Sequence, residues 1–405
     1  MRTPHINRLI LIKSAAFCKA FFCARKIKKF SQYSGESGKI AESVKMDSSE
    51  LDYFLPEERI ARYPSQRRDA CKLLVYNRDT GAITHAHFAD IADFLPPNCN
   101  FFRNNAAVLK ARIFAKKPTG GDVECLLLTP SNGSDEWTCM LKPGKRLPVG
   151  ATFGRDGVFT ATVLAKDDEG NATVRFDVSD GKSVVELSEQ IGVVPLPPYI
   201  ARDQKSPDYD RDFDNRYYET VYADPSKRVA AAAPTAGLHF TPELDEKLAW
   251  LGHRFFDLTL HVGLGTFRPM KTDKVEDFKI HSEIYEIPAK TLAAMADSSR
   301  PRVAVGTTSL RAMEDFCRKH ENFRDAPPEA VADSANLFVY PPQKIISADA
   351  LITNFHLPRS TLMCLVASFI KSGEIGGVEI LREIYKIAVD KKYNFYSYGD
   401  AMLII

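Results

Sequence analysis

The spacing of apolar residues changes twice along the chain, near residue 107 and near residue 194. Between these points, short alternating apolar stretches are separated by the turn sequences PSNGSD, KPGK, PVG, GRDG, DDEGN and SDGK. Short strands with turn signals at this spacing are typical of a sandwich or a barrel. The pattern therefore predicts a compact all-β, barrel-like domain over residues 107–194.

The flanking residues 46–106 and 195–405 follow a different pattern, in which apolar strands alternate with amphipathic helices. The sequence RVAVG leads into TTSLRAMEDFCRKH, and ALITNF leads into HLPRSTLMCLVASF. Each is typical of a strand, a short polar loop and a helix. The stretch PTAGLHFTP also precedes a helix, with Thr241 as N-cap and Pro242 at the first position. These units predict an α/β core domain, made from both flanks, into which the all-β domain is inserted.

The first 45 residues differ from the rest of the chain in charge. They carry ten Lys or Arg and two Glu, whereas the whole chain has a formal net charge of +2, so the remainder is at about −6. Such a basic segment is either an organelle transit peptide or sequence upstream of a true start at Met46. We expect an extension, 1–45, that is disordered or not native. The mildly acidic remainder argues against a non-specific nucleic-acid coat, but a local basic patch can still bind phosphates.

The eight cysteines are scattered and form no C-x-x-C pair and no metal-ligand spacing. This distribution favours reduced thiols and a cytoplasmic protein over a disulfide framework. No stretch after residue 45 approaches the roughly eighteen apolar residues that a membrane span needs, so we expect no membrane partner.

Histidines recur where the predicted strands end, at His239, His261 and His356. Open α/β sheets bind ligands outside the carboxyl ends of their strands, where helix N-termini present unpaired N–H groups. The small and hydroxyl residues near these histidines are Gly237, Gly263, Gly265, Thr307, Thr308 and Ser309. The recurrence predicts a ligand-binding α/β enzyme, although a single histidine of this kind is more often a hydrogen-bonded structural residue than a catalyst.

Several common site motifs are missing from the chain. There is no G-x-S-x-G elbow, no Walker loop and no H-E-x-x-H, which excludes the commonest hydrolase, nucleotide-triphosphatase and zinc-protease interpretations. A metal site built from His239, His261, His281 and His356 stays a formal alternative, but none of these residues has a partner at ligand spacing.

Six motifs in order carry a specific resemblance: APTAGLHFTPEL, LTLHVGLGTFRP, HSEIYEI, VAVGTTSLRAME, LITNFHLPRSTL and FYSYGDAMLI. They closely resemble the S-adenosylmethionine:tRNA ribosyltransferase-isomerase family of queuosine biosynthesis, over roughly residues 50–405. The resemblance implies transfer of the ribosyl part of S-adenosylmethionine to 7-aminomethyl-7-deazaguanine at the tRNA wobble position. Isomerisation would then give epoxyqueuosine, with release of adenine and methionine. S-adenosylmethionine would be a consumed cosubstrate, and no metal is implied.

The implied chemistry needs a base for the 5′ carbon beside the sulfonium and an acid for the departing adenine. We expect His239 or His261 to transfer the proton, with Glu283 as the competing base.

The start of the helix at Thr307, Thr308 and Ser309, together with Arg311, is expected to hold the methionine carboxylate. Asn354 and His356 are expected to orient the ribose or the adenine. The remaining predicted substrate-binding residues are Thr235, Gly237, Gly263, Gly265 and Thr266.

The implied RNA partner is a tRNA with a GUN anticodon, bound by a monomer. Basic residues of the predicted β domain would contact its phosphates: Lys116, Lys117, Lys142, Lys145 and Arg146. Arg67 and Arg68 are further candidates on the core. The alternative is that these side chains only keep a hairpin soluble.

One segment departs from the family pattern. Where relatives typically read LNDTRV or LNDTKV, this chain reads RNNAAV, with Asn105, Ala106 and Ala107 in place of an acid, a hydroxyl and a base. Pro342 also replaces a usual glycine. A catalytically impaired relative that binds tRNA or S-adenosylmethionine without turnover is therefore the alternative. A methyltransferase would carry a glycine-rich loop after its first strand, which the sequence lacks.

Overall fold

The computed structural model describes residues 45–405, except 134, 169, 207, 264–269 and 326–328. All described residues belong to one compact unit, Lys45–Ile405. The strands are β1 (Lys72–Tyr76), β2 (Ile83–His87), β3 (Asn100–Asn104), β4 (Ala106–Val108), β5 (Arg112–Lys116), β6 (Asp122–Pro130), β7 (Glu136–Lys142), β8 (Thr152–Arg155), β9 (Phe159–Lys166), β10 (Asn171–Val178), β11 (Asp224–Ala230), β12 (Arg254–Leu260), β13 (Glu283–Pro288), β14 (Arg302–Val305), β15 (Ala330–Ala335), β16 (Ala350–Asn354) and β17 (Ala401–Ile404). The α-helices are α1 (Val184–Ile191), α2 (Arg211–Tyr217), α3 (Pro242–Trp250), α4 (Ala289–Ala296), α5 (Gly306–Lys319), α6 (Thr361–Ile370) and α7 (Gly377–Asp390).

A nine-stranded mixed sheet forms the core, in the order β15-β13-β12-β3-β14-β16-β17-β1-β2. Its centre is parallel, because β12, β3, β14 and β16 all run in one direction. Strand β17 is antiparallel to β16 and parallel to β1, so β17 and β1 begin at the edge where the central strands end. The carboxyl ends of the four central strands and the starts of β13, β17 and β1 therefore lie at the same edge of the sheet.

The two faces of this sheet bury different residues of the same strands. Phe102 packs in one hydrophobic cluster with residues of α5, α6 and α7, whereas Phe101 packs in the other with Leu244 and Leu248 of α3. Successive side chains of a strand point to opposite faces, so a sheet covered on both faces needs continuously apolar strands. The helix predicted from Thr241 is confirmed, and the Thr241 hydroxyl accepts the Leu244 N–H at 3.2 Å.

The second architectural element is a closed antiparallel barrel in the order β10-β7-β6-β5-β8-β9. Its interior is filled by one cluster that includes Cys125, Cys139 and Phe153, and Val184 and Leu187 of α1 pack against the same cluster. The predicted fold class, an α/β core with an all-β barrel, is confirmed. The exact domain boundaries stay a prediction. Among the described residues, no helix is long and apolar enough to cross a membrane.

Candidate active site

Two adjoining clefts open at the carboxyl edge of the parallel strands. Cleft A is lined by Tyr199, Ala233, Thr235, Ala236, Val262, Gly306, Thr307, Thr308, Thr353, Asn354, Phe355, His356, Leu357, Leu362, Tyr396 and Ser397. Cleft B is lined by Phe278, Ile280, His281, Glu283, Thr307, Thr308, Arg311, Leu337, Phe338, Val339, Thr361, Leu362 and Leu365. The two share Thr307, Thr308 and Leu362. Each has a cavity volume of about 40 Å³.

Asn354, at the end of β16, is held on every side in cleft A. Its Nδ2 donates to His239 Nε2 at 3.1 Å and to the Tyr396 carbonyl at 3.2 Å. Its Oδ1 accepts the Thr235 hydroxyl at 3.1 Å. Because both N–H bonds and the oxygen are used, the amide has one orientation, and it fixes the Thr235 hydroxyl at the cleft surface.

His239 lies behind Asn354 and is not among the residues that line either cleft. Its Nδ1 is 3.2 Å from Cys71 Sγ, and its ring packs 5.2 Å from the Phe88 ring. Burial, together with a smaller contribution from the nearby Arg68 charge, lowers the pKa of His239 to about 3. The imidazole is therefore neutral near pH 7 and acts on the cleft through Asn354.

His356 lines cleft A itself. Its Nε2 is 2.8 Å from the Thr353 hydroxyl, and its backbone N–H donates to the Tyr385 hydroxyl at 3.0 Å. Its carbonyl accepts the Tyr53 hydroxyl. Burial lowers the pKa of His356 to about 3, so this ring is also neutral near pH 7.

Helix α5 begins directly at the clefts. Gly306 has φ +88°, a left-handed conformation that favours glycine, and it turns the chain from β14 into the helix. The Thr308 hydroxyl is buried and has no hydrogen-bond partner among the described residues. The Ser309 hydroxyl instead donates to the Val305 carbonyl at 2.8 Å. The helix start therefore offers N–H groups and the Thr308 hydroxyl to a ligand.

Cleft B contains a buried ion pair between Glu283, at the start of β13, and Arg311 of α5. The other Glu283 oxygen accepts the Gly263 N–H at 2.9 Å. Arg311 also donates to the carbonyls of Leu337 at 3.1 Å, His281 at 2.7 Å and Ala335 at 2.8 Å. Most of its donors are therefore engaged within the protein.

His261 lies on the opposite face of the sheet from Glu283. It follows β12, and its N–H donates to the Ile284 carbonyl, so its side chain shares a face with Ile284 and Glu286. His261 Nε2 lies 3.8 Å from Glu286 Oε1. Burial lowers the pKa of His261, although Glu286 opposes this shift. The three candidates for proton transfer therefore occupy three different environments.

The predicted glycines have different surroundings. A Cβ atom on Gly237 would lie 2.0 Å from Tyr222 Oη, so close packing requires glycine there. The backbone N–H of Gly263 donates a hydrogen bond to the Glu283 carboxylate. Gly265 and Thr266 lie outside the described residues.

The predicted RNA-binding residues lie in two places. Lys116 and Lys117 lie on the barrel surface, with Arg155 in the same groove, and Lys142, Lys145 and Arg146 are near the turn after β7. On the core, Arg67 pairs with Asp69 at 2.7 Å, and Arg68 donates to the carbonyls of Glu219 and Arg216 at 2.7 and 2.6 Å. Arg68 therefore anchors the end of α2.

The divergent residues 105–107 follow Asn104, the last residue of β3, and extend into β4, and none of these residues lines either cleft. Asn104 bridges to β12 by accepting the Leu260 N–H at 3.1 Å and donating to the Leu260 carbonyl at 3.2 Å. Asn105 Oδ1 accepts the Thr259 hydroxyl at 2.7 Å. Ala106 and Ala107 are buried. Pro342 is exposed and lines neither cleft.

Several cleft residues were missed by the sequence reasoning. Tyr199 belongs to PLPPYI, and Tyr396 and Ser397 belong to FYSYGDAMLI. The Tyr199 hydroxyl lies 2.7 Å from Ser397 Oγ, and the Tyr199 and Tyr396 rings are 4.7 Å apart. The only available signal was that both motifs carry aromatic residues with polar tips next to turns.

Comparisons with known proteins show the family to which the chain belongs. A family model described as "Queuosine biosynthesis protein" matches residues 48–404. The S-adenosylmethionine:tRNA ribosyltransferase-isomerase of Thermotoga maritima is 40% identical over 364 residues, and that of Sulfurihydrogenibium sp. is 41% identical over 366. Each alignment covers 89% of this chain and 100% of the relative. A solved S-adenosylmethionine tRNA ribosyltransferase from Thermotoga maritima is 32% identical, with coverages of 88% and 100% and a TM-score of 0.47. The chain therefore belongs to the S-adenosylmethionine:tRNA ribosyltransferase-isomerase family, the enzymes described as queuosine biosynthesis proteins.

Proposed function

We propose that this enzyme transfers and isomerises the ribosyl moiety of S-adenosylmethionine onto 7-aminomethyl-7-deazaguanine at the tRNA wobble position. The products are epoxyqueuosine in the RNA, free adenine and free methionine. Family membership supports this reaction. The observation that carries it is the joined pair of clefts at the start of α5, where a neutral hydrogen-bonding site adjoins a charged one.

The start of α5 suits the methionine carboxylate of the cosubstrate. A helix N-terminus attracts an anion through its N–H groups and its dipole. Thr308 adds a hydroxyl that has no partner within the described part of the chain. Arg311 contributes positive charge nearby, although its pairing with Glu283 gives it mainly a positioning role.

Cleft A suits the ribose and adenine. Asn354 is fixed by His239 and Tyr396, and it in turn fixes Thr235. His356 is neutral near pH 7, so its ring can donate or accept a hydrogen bond without adding a charge. These neutral groups recognise hydroxyls and ring nitrogens by geometry.

Proton transfer is assigned to Glu283, the one of the three proposed groups whose side chain lines a described cleft. Removal of a proton from the 5′ carbon requires a base within hydrogen-bond reach. His239 is then a positioning residue that acts through Asn354. His261 stays a second candidate, because it is two residues before Gly263, whose N–H binds Glu283.

The RNA partner is proposed to be a tRNA with a GUN anticodon. The surface of the barrel carries five cationic side chains: Lys116, Lys117, Lys142, Lys145 and Arg146. Such cations bind RNA phosphates without recognising the base sequence. Arg67 and Arg68 would support the RNA near the core. We propose that the enzyme acts as a monomer in the cytoplasm.

A relative that binds without turnover is the second candidate, because of the residues at 105–107. The placement of this segment outside both clefts favours an active enzyme. Its buried alanines pair β4 with β11, which is a structural task.

The decisive assay incubates the protein with S-adenosylmethionine and tRNA that carries the aminomethyl-deazaguanine base. We expect adenine and methionine in equal amounts, and only when the modified RNA is present. Methyl transfer to the RNA, or adenine release that ignores the RNA, would contradict the proposal. Glu283→Gln keeps an oxygen for the Gly263 N–H and is expected to slow release at least about 100-fold, as loss of a general base does.

A further inference from the structure

A cluster of aromatic and arginine side chains lies on the surface of the core, and Arg68 adjoins it at the Tyr217 ring and the Arg216 carbonyl. We define the aromatic–arginine cluster as Tyr63, Arg202, Phe213, Arg216 and Tyr217. The Tyr63 and Phe213 rings are 6.1 Å apart, and the Phe213 and Tyr217 rings are 4.5 Å apart. The Arg202 guanidinium lies 3.7 Å from the Tyr63 ring centroid, and that of Arg216 lies 5.7 Å from the Tyr217 centroid.

Tyr63 is the exposed member of this cluster. It is 63% exposed, which is unusual for a large aromatic residue with no surface role. Arg202 covers one face of its ring, so the exposed area includes the other face. A flat aromatic face open to solvent is a platform on which a nucleobase can stack.

The platform is fixed before any ligand arrives. The Arg202 guanidinium donates to the Arg62 carbonyl at 2.7 Å, and its Nε lies 3.4 Å from the buried carboxylate of Asp214. Phe213 and Tyr217 are four residues apart on α2, which places them on one side of that helix. A pre-organised surface loses less conformational entropy when a ligand binds.

The cluster is joined to cleft A by two short connections. Tyr199 lines the cleft, and Arg202 follows it by three residues, a span of at most about 11 Å between their Cα atoms. The Phe395 N–H donates to the Arg59 carbonyl at 2.7 Å, which links the segment before Tyr63 to the residue before Tyr396 of cleft A. An RNA strand whose reacting base enters cleft A would therefore pass close to the cluster.

The charges of the cluster fit a polyanion. Arg216 is exposed at the last turn of α2, beside Tyr217. The acidic residues Asp210 and Asp212 lie at the other end of that helix, in the cap and first turn. Cationic groups interleaved with aromatic rings match the alternation of phosphates and bases in an unpaired RNA strand.

We propose that the aromatic–arginine cluster binds an unpaired nucleotide of the tRNA anticodon loop, next to the base that enters cleft A. Tyr63 stacks on the base, and Arg216 contacts the backbone phosphate. This inference rests on the proposed function, because that function supplies the RNA. It adds a loop-specific contact to the phosphate contacts of the barrel.

The test measures binding of a fluorescent RNA hairpin, with the sequence of an anticodon stem-loop with a GUN anticodon, by anisotropy. Tyr63→Ala is expected to raise the Kd by about 5- to 100-fold, the range typical of one lost stacking contact. Tyr63→Phe keeps the ring and is expected to stay within about twofold of the wild type. Trp250→Ala is the matched control, because Trp250 is 85% exposed but lies at the end of α3, before β12 starts at the opposite edge of the sheet.

A duplex with the same stem and no loop should bind equally to the wild type and to Tyr63→Ala. Three results would overturn the inference. They are a duplex Kd that rises in Tyr63→Ala as much as the hairpin Kd, an unchanged hairpin Kd in Tyr63→Ala, or no hairpin binding by the wild type. A measurement of adenine release distinguishes failure of this inference from failure of the proposed function. If the wild type releases adenine, Tyr63→Ala should raise the KM for RNA and leave kcat unchanged. If it does not, the proposed function fails while the binding data still decide the role of Tyr63.

Discussion

Cleft A and cleft B adjoin each other, yet their polar groups are held in opposite ways. Cleft A is built from neutral partners, with Asn354 between His239 and Thr235. Cleft B is built around the charged pair Glu283 and Arg311, surrounded by backbone carbonyls. The comparison shows how one sheet edge provides both neutral recognition and charge. Neutral networks hold a shape at constant charge, whereas a buried ion pair depends strongly on both partners.

The ion pair of cleft B should give the largest effect. Arg311→Met leaves the buried Glu283 carboxylate without its counter-ion, and we expect the free energy of unfolding to fall by about 3–5 kcal/mol. Chemical denaturation measures this change. The double variant Arg311→Met with Glu283→Leu removes the unpaired charge, so it should lose less than the single variant. A larger loss in the double variant would show that the charge pairing is not what stabilises this cleft.

The neutral network of cleft A should give a smaller effect. Asn354→Leu keeps the approximate volume but removes the partners of His239 Nε2 and of the Tyr396 carbonyl. We expect a loss of about 2–3 kcal/mol, because buried polar groups are left unsatisfied. Denaturation at neutral pH is again the measurement. A loss of stability as large as that of Arg311→Met would show that the neutral network of cleft A and the ion pair of cleft B do not differ in this way.

Lowering the pH should destabilise the folded protein through the two buried histidines at cleft A, His239 and His356. The pKa values of His239 and His356 are lowered from 6.5 to about 3 by burial. Between these values the unfolded chain binds more protons than the folded one, so the free energy of unfolding decreases as pH falls. From pH 7 to pH 5 each histidine should contribute a decrease of about 2 kcal/mol. His356→Gln keeps a polar group near Thr353, and the decrease in the free energy of unfolding between pH 7 and pH 5 should be smaller by about 2 kcal/mol. An unchanged slope would place a protonated His356 in the folded state.

The divergent segment should give the smallest effect. Asn105→Asp keeps an oxygen that accepts the Thr259 hydroxyl, and residue 105 lines neither cleft. We expect the rate of adenine release to change by less than about twofold, which corresponds to well under 1 kcal/mol. Restoring Ala106→Thr and Ala107→Arg as well tests the whole segment. A large gain in rate from either variant would make this segment part of the active centre.

Local sequence signals were sufficient for much of the fold. Turn sequences bounded the barrel strands, and Thr241 with Pro242 marked the start of α3. The positions of Thr307, Thr308, Asn354 and His356 at strand ends followed from the alternation of strands and helices, and all four line cleft A. Such signals work because a few neighbouring residues determine turns, caps and periodicity.

Contacts between distant segments could not be predicted in this way. The face on which His261 lies depends on the register of β12 with β13, which is set by pairing of residues about 25 positions apart. The engagement of Arg311 with carbonyls of Leu337, His281 and Ala335 requires three separate segments to meet. Tyr199 and Tyr396 are nearly 200 residues apart, and only the folded chain brings them together.

The proposed reaction depends most directly on binding of S-adenosylmethionine at the start of α5. Isothermal titration of the cosubstrate, with the anticodon hairpin at saturation, compares the wild type with Thr308→Val and Ser309→Ala. The Ser309 hydroxyl already bonds to Val305, whereas the Thr308 hydroxyl has no partner among the described residues. We predict that Thr308→Val raises the Kd at least about tenfold, as loss of a hydrogen bond to a charged group does, and that Ser309→Ala leaves it unchanged. An unchanged Kd in Thr308→Val would show that the start of α5 does not bind the cosubstrate through this hydroxyl.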